Sequence, residues 1–566
     1  MRKILSFAIS IFLLFFVYFF IFGILLGIFI LVKYDFKQAL TISSLITIGI
    51  IFFQYLISTK IHDYFLRKIF DCEFVNLETL PENLREFIKN SFEEKKLKLP
   101  KILTIRSTKY IAFSYGNSLS NVRIVLSNSI IRNLNEKELK AILSHELSHI
   151  FGYDFILMTF ATVIPVFVFY LYLILERIYE AIYDYEKQRG DWKYKYALSN
   201  FVGLFKAMAL LCYTILDFFC LPFSRIREYY ADRMALKLSM DPDSFLSAFI
   251  KIGHDLVIEE NLQKSYFPDF AFQISPYRLF TMIDYKQSLT ILLSFLNISM
   301  SNREFSIQDN PLEAIKTIIQ FIQWDTRNPW SIFYEIFLGH PLFSKRIISI
   351  YQLSKEMGIV INKELIDNLE KVKINITLNA LVKFFVDFLF EYSYLILIIT
   401  PWMFIKIFSG NIFAIFSAFP ASISFILLVK LIYCYYRSDF YWKKVSDLLS
   451  EDSVSIISGL PVVIKGKVKI SPFSSKLLYF YDETGCIYLL SKDTRYDISF
   501  FSSKDIINQD IVVKGYLRRK IEPYVEILEI QTMERKKYKL GHRFDLVIIN
   551  LIFLIAGLIG IYFFTR

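Results

Sequence analysis

Three kinds of hydrophobic pattern follow one another along the 566 residues. The first is unbroken. Ile4–Val32 is almost continuous hydrocarbon, long enough to cross a bilayer with tilt. It is too long for a removable signal peptide and lacks the small-residue cleavage site, so a retained span is expected. Ala39–Ser58, Phe155–Leu175, Phe201–Phe223 and Phe544–Phe564 carry the same pattern. Leu389–Phe408 and Ile412–Tyr436 are expected to form a further hairpin, although Glu391, Lys406 and Lys430 within them also suit a membrane-surface arrangement. The expected total is seven spans.

The second pattern has the period of an amphipathic helix. It covers "PENLREFIKNSFEEKK" and dominates between Asp232 and Asn375. In the 60–134 stretch it shares the chain with strands expected near Lys101–Arg106, Tyr110–Tyr115 and Arg123–Ser127, an α/β mixture. The third pattern is short alternation. "PVVIKGKVKI", "LLYFYDET", "CIYLLSK", "DIVVKGYLRRK" and "YVEILEIQT" are five β-branched or aromatic runs separated by turn signals, which predicts a small OB-type barrel.

These patterns predict an α-helical polytopic membrane protein. Its mainly α domain carries a small β-sheet, and an all-β OB-like barrel follows near the C-terminus. The expected order is a membrane hairpin at 1–59, half of the folded domain at 60–154 and a second hairpin at 155–223. The other half follows at 224–376, then a third hairpin at 377–437, the barrel at 438–543 and a last span at 544–566.

Composition agrees: 54% of residues are hydrophobic, 17% are aromatic and the mean hydropathy is +0.41, too apolar for an ordinary soluble chain of this length. Basic residues cluster on one side of the spans. They are Arg2 and Lys3, Arg225 and Arg227, Arg437, Lys443 and Lys444, and the run from Arg535 to Arg543. The positive-inside rule then puts the N-terminus in the cytoplasm and the C-terminus outside, in a prokaryotic inner membrane. The net charge of +11 is therefore topogenic and lipid-facing, and no nucleic-acid partner is expected. Five cysteines without CxxC spacing are expected to be free thiols. There is no Walker loop or GxGxxG to drive an ATP-dependent machine.

The chemistry concentrates in "AILSHELSHIFGYD", Ala141 to Asp154. Asn135 and Glu138 read as an N-cap with its capping-box acid, and Leu139, Ile142, Leu143, Leu147 and Ile150 continue at helical spacing. On that helix His145 and His149 share a face, where two imidazoles reach one zinc ion, with Glu146 beside them as a proton acceptor. A third ligand is sought on an element that crosses this helix. "SRIREYYADRMAL", expected to open a helix at Ser224, places Glu228 and Asp232 on one face. Glu228 would complete a two-His, one-carboxylate site, and Asp232 would orient a ligand imidazole. His62, His254 and His542 are isolated.

HELSH, a membrane hairpin and then S-R-x-R-E-x-x-x-D resemble the integral-membrane zinc metallopeptidases that include the heat-shock protease HtpX and the CAAX prenyl proteases. "YIAFSYGNSLSNVRIVLSNSII" resembles their strand pair ahead of the metal helix, and "GHPLFSKRI" their late His-Pro segment. The resemblance covers roughly residues 1 to 350 and is nearer HtpX in its spans. One departure is Ile111, where the family usually has Asn.

The resemblance implies a zincin binding one Zn²⁺ through His145, His149 and Glu228. Glu146 would be the catalytic base, and His340 would stand near substrate as an oxyanion donor. A peptide would pair with the strand of Ala112, Phe113 and Tyr115. The implied activity is endoproteolysis at the cytoplasmic side, on misfolded or unassembled membrane proteins. A prenyl-peptide processor, or a scaffold using the barrel to bind a partner, are the alternatives.

Overall fold

The computed structural model describes residues 18–19, 21–23, 25–107, 110–188, 196–258, 279, 322–359, 369–370, 376–393, 412–435, 439–470, 478–490, 506–520, 523–539 and 543–565. They fall into two compact units. One holds what is described up to residue 258, Leu279 and residues 335–359. The other holds residues 322–334 and everything described from 369 onward.

In the first unit, helix α1 (Phe36–Phe70) is capped by Asp35, whose carboxylate accepts from the Lys37 N–H, and ends at left-handed Asp71. At about 1.5 Å per residue it is about 50 Å long, more than the roughly 30 Å of a bilayer core. Its last turns extend beyond such a length and pack on protein. There Asp63 accepts from Arg123 Nη2 at 2.8 Å, Arg123 Nε at 3.0 Å and Tyr115 Oη at 2.6 Å. His62, fully buried, lies 2.9 Å from the Thr159 carbonyl.

Arg123 and Tyr115 belong to a four-stranded sheet: β1 (Cys72–Val75), β2 (Lys101–Ile105), β3 (Ala112–Gly116) and β4 (Val122–Ser127). The spatial order is β1-β2-β4-β3, with only β2–β4 parallel. Strand β1 was not expected; "CEFV" is too short to show a period. Helix α2 (Glu82–Glu94) buries Leu84, Ile88 and Phe92 at helical spacing.

A short helix, α3 (Asn128–Asn133), leads into α4 (Glu136–Phe151), which has the full capping box. The Asn135 side chain accepts from the Glu138 N–H, and the Glu138 carboxylate accepts from the Asn135 N–H, both at 2.9 Å. Left-handed Tyr153 (φ 62°) ends that helix, and α5 (Asp154–Gln188) begins at once. Helix α6 (Ala197–Ser239) follows. Two expectations change here. The helix of the expected span Phe155–Leu175 continues past Leu175 as far as Gln188, and no helix opens at Ser224, because α6 runs through it without a break. Pro222 does not break it. α7 (Pro242–Ile258) completes this stretch.

Helices α1, α5 and α6 are the three, among the described residues, that are long and apolar enough to cross a membrane. The first expected span, Ile4–Val32, and Leu389–Phe408 lie mostly outside those residues. Ile412–Tyr436 and Phe544–Phe564 are helical over most of their length, but their described apolar stretches, Ala421–Tyr435 and Asn550–Ile559, are shorter than a span. Among the described residues, three of the seven expected spans are therefore seen.

The segment 322–334 was expected with the protease half and is found in the second unit. Trp324 Nε1 donates to the Val454 carbonyl at 2.8 Å, and Asn328 Nδ2 to the Asp452 carbonyl at 2.8 Å. Helix α8 (Pro329–Glu335) then carries the chain back, and α9 (Phe343–Glu356) packs in the first unit. In the second unit α10 (Leu378–Glu391) turns Phe384 and Phe388 onto Trp330. α11 (Ile412–Tyr435) and α12 (Arg543–Thr565) pack against each other, Ser424 donating to the Asn550 carbonyl.

The barrel is closed by five strands: β6 (Leu460–Ile470), β7 (Leu478–Asp482), β8 (Gly485–Leu490), β9 (Asp510–Arg519) and β10 (Pro523–Thr532). Short strands β5 (Tyr441–Trp442) and β11 (Lys537–Lys539) extend it. The ring closes as β6-β7-β8-β10-β9-β6, with β8–β10 its one parallel pair, a Greek-key order of the OB type. Buried Arg518 donates to Glu526 at 2.5 Å and to the Ile456 carbonyl, while Tyr435 donates to Glu526 from the end of α11.

The Asp63–Arg123 pair ties the end of α1 to the sheet. Asp63→Ala leaves a buried guanidinium without its carboxylate, which costs about 3–5 kcal/mol when a buried pair is broken from one side. Chemical unfolding of the detergent-solubilised protein should show this loss, and a wild-type unfolding curve would contradict it.

Candidate metal centre

Helix α4 presents His145, Glu146 and His149, all buried. Helix α6 crosses it and presents Glu228 and Asp232, one turn apart and also buried. His145 Nε2 lies 3.2 Å from His149 Nε2 and 3.3 Å from Glu228 Oε2, and His149 Nε2 lies 3.6 Å from Glu228 Oε1. A tetrahedral ion with bonds of about 2.0–2.1 Å needs neighbouring ligand atoms about 3.3–3.4 Å apart. The donor set fits zinc.

The other ring nitrogens are held from behind. His145 Nδ1 is 3.1 Å from Asp232 Oδ1, and His149 Nδ1 is 3.0 and 3.1 Å from the two Asp154 oxygens. Carboxylates on both Nδ1 atoms turn both Nε2 lone pairs toward the centre. Asp154 is a residue the sequence reading passed over. Its position, the first of α5 just after left-handed Tyr153, is what aims it back at His149. Helical spacing alone has no i, i+5 face, so only the break makes this contact.

Arg346 was also unassigned beyond its motif. Fully buried on α9, it donates through Nε and Nη2 to the two Asp232 oxygens at 2.8 and 2.6 Å. Its Nη2 is 3.3 Å from Glu228 Oε2, and its guanidinium lies 4.4 Å from the Phe249 ring. Arg227 Nη2 donates to Glu228 Oε1 at 3.0 Å and to the Leu279 carbonyl at 2.8 Å.

Burial depresses the His145 imidazole, but the Asp232 and Glu228 carboxylates outweigh it and raise the group to about 9. The site is electronegative enough to hold a cation. Burial raises the Glu146 carboxyl, with His149 and His145 opposing the shift. Among the described residues neither Glu146 oxygen has a hydrogen-bond partner, which leaves this acid uncommitted to structure.

His340 is buried, with Nε2 3.9 Å from Glu228 Oε1. Strand β3, with Ala112, Phe113 and Tyr115, is an edge strand that packs beside α4, and Ser114 Oγ lies 3.5 Å from the Glu146 carbonyl. The Phe113 and Tyr115 side chains are in the core, so only main chain is available for pairing. Ile111 joins that core with Leu221 and Leu279, while its N–H donates to Ser127 Oγ.

Two imidazoles and one carboxylate around a common point, with a further buried acid beside them, make a candidate metal centre. Residues 78–354, which contain every residue of the site, match the model of Peptidase family M48, so the resemblance read from the motifs is to this family. Among its relatives is the protease HtpX homolog of Methanothermobacter thermautotrophicus, 27% identical over 209 residues, 37% of this chain and 72% of that one. Protease HtpX of Shewanella pealeana is 27% identical over 195 residues, and an HtpX homolog of Bacteroides fragilis is 30% identical over 185. The chain spans 64% and 55% of those two relatives' lengths, and they cover 32% and 31% of this one. The crystal structure of Ste24p from S. mikatae aligns with 62% of this chain and 66% of that one at 16% identity, with a TM-score of 0.25, too low to carry an argument.

Asp154→Asn and Asp232→Asn should each weaken zinc affinity about 10–100-fold, as for carboxylates that orient ligand imidazoles. Titration against a competing chelator reads this. Wild-type affinity in Asp154→Asn would leave that carboxylate a helix-capping group only.

Proposed function

We propose that the chain is a zinc-dependent integral-membrane endopeptidase acting at the cytoplasmic side, in quality control of membrane proteins. The carrying observation is the uncommitted, buried Glu146 carboxylate beside three inward-facing ligand atoms with tetrahedral spacing. His145, His149 and Glu228 hold the ion. Zinc, when bound, polarises the scissile carbonyl and lowers the pKa of water. Glu146 takes the proton of the attacking water and hands it to the leaving amine. His340 donates to the oxyanion. Arg227 pairs with Glu228, and Arg346 with both Glu228 and Asp232, which holds the two carboxylates in place as acceptors.

The substrate lies extended against the β3 edge. Main-chain pairing reads shape more than sequence, which suits unfolded segments of many proteins. The name protease HtpX, carried by the relatives, supports a protein substrate.

Glu146→Gln should keep stoichiometric zinc and lose about 10²–10⁴ in cleavage of a denatured model protein, the usual share of a general base. Glu228→Ala should lose the metal. Metal analysis beside proteolysis separates the two, and undiminished cleavage by Glu146→Gln would remove it from the mechanism. His340→Ala should keep zinc and lower kcat by about 10²–10³ with little change in KM, as for a lost oxyanion donor. A normal kcat would make His340 structural.

A further inference from the structure

The turn after α8 has a feature that the metal site does not use. Phe337 is a large apolar side chain left 45% exposed, next to Ile336 at 39%. Its ring centroid is 5.9 Å from that of Phe218, itself 40% exposed. Phe218 belongs to the apolar part of α6, whose Leu210, Leu211 and Ile215 are exposed on preceding turns. Asp217, at the same level, is buried in protein and does not interrupt that face.

Helix continuity sets the depth. Because α6 has no break, Ser224, the first residue of the polar stretch, lies six residues above Phe218, about 9 Å at 1.5 Å per residue. Glu228 lies ten residues above, about 15 Å. Arg225, at the upper level, donates through Nη1 to the carbonyls of Ile336 at 2.8 Å and Leu338 at 2.7 Å. The turn is thus held by its main chain to Arg225 while the Phe337 ring reaches down α6 to Phe218. Three residues later His340 stands 3.9 Å from Glu228. An extended chain covers about 10 Å in three residues, enough with the side chains to join the two levels.

We infer that Ile336 and Phe337 form a wedge immersed in the acyl region of the bilayer, and that this lipid contact fixes the segment carrying His340. The exposed ring is continuous with the lipid-facing band of a helix long enough to span, which makes hydrocarbon its occupant. Moving the exposed part of a Phe side chain from water into hydrocarbon is favourable, and it biases a short turn clamped at one point. The placement of the wedge stands on geometry; its coupling to His340 rests on the peptidase reading.

The experiment uses the full chain in phosphatidylcholine vesicles carrying acyl-chain bromine, a contact quencher of indole. Wild-type emission from the five native tryptophans is subtracted from that of F337W, with E94W as a control at an exposed position on α2. The indole introduced by F337W should lose emission to bromolipid and not to aqueous acrylamide, and E94W should do the reverse. Quenching of F337W by acrylamide as strong as that of E94W would overturn the wedge. Coupling is read by F337L and F337D. With equal zinc content, F337D should cleave more slowly than F337L in vesicles, because a carboxylate in the acyl layer is costly. The gap should close in detergent micelles. Equal rates in vesicles would overturn the coupling and leave the quenching result standing. A failed peptidase reading would silence both variants and the wild type alike.

Discussion

Two carboxylates buried on one helix face govern this site. Glu228 and Asp232 are shut off from water, and an unpaired buried charge costs several kcal/mol. Each therefore needs cationic partners, and these come from three places in the chain: His145 from α4, Arg227 from α6 itself and Arg346 from α9. The ligand geometry follows from that requirement. Arg346 fixes Asp232 through two donors, Asp232 fixes the His145 ring, and the ring's other nitrogen then faces Glu228. His149 is fixed independently by Asp154, so two carboxylates on different helices set the two imidazoles.

The same helix that carries these acids also carries an apolar segment long enough to span. An unbroken α6 fixes the distance of the centre from that segment, because no hinge separates its exposed apolar turns from Glu228. The Asp63–Arg123–Tyr115 cluster ties α1 to the sheet, its ion pair holding β4 through Arg123 and a hydroxyl hydrogen bond holding β3 through Tyr115. The site is thereby mounted from both sides on helices long and apolar enough to span.

The path of the chain adds a second constraint. Between α7 and α9 the sequence leaves the first unit, contributes Trp324 and Asn328 to the second, and returns with His340 and Arg346. Trp324 bonds to Val454 and lies against Arg519, 4.5 Å from its ring, so the residues before the return are locked into the barrel's own unit. The barrel's buried Arg518–Glu526 pair reaches α11 through Tyr435, binding helix and barrel together.

Much of this was legible in the sequence because it rests on local rules. The capping box at Asn135, the i, i+4 imidazoles, the Glu228–Asp232 turn and the five alternating runs of the barrel each depend on periodicity or on near neighbours. What could not be read depends on direction and on distant partners. The break at Tyr153 aims Asp154 at His149, and the continuity of α6 through Pro222 removes an expected helix start. The return of 322–334 to the barrel unit needs partners more than a hundred residues away. Arg346 shows the division most simply. Its motif marked the segment, but a buried guanidinium has no address in sequence until folding brings it a carboxylate, and only the tertiary structure decided that this was Asp232.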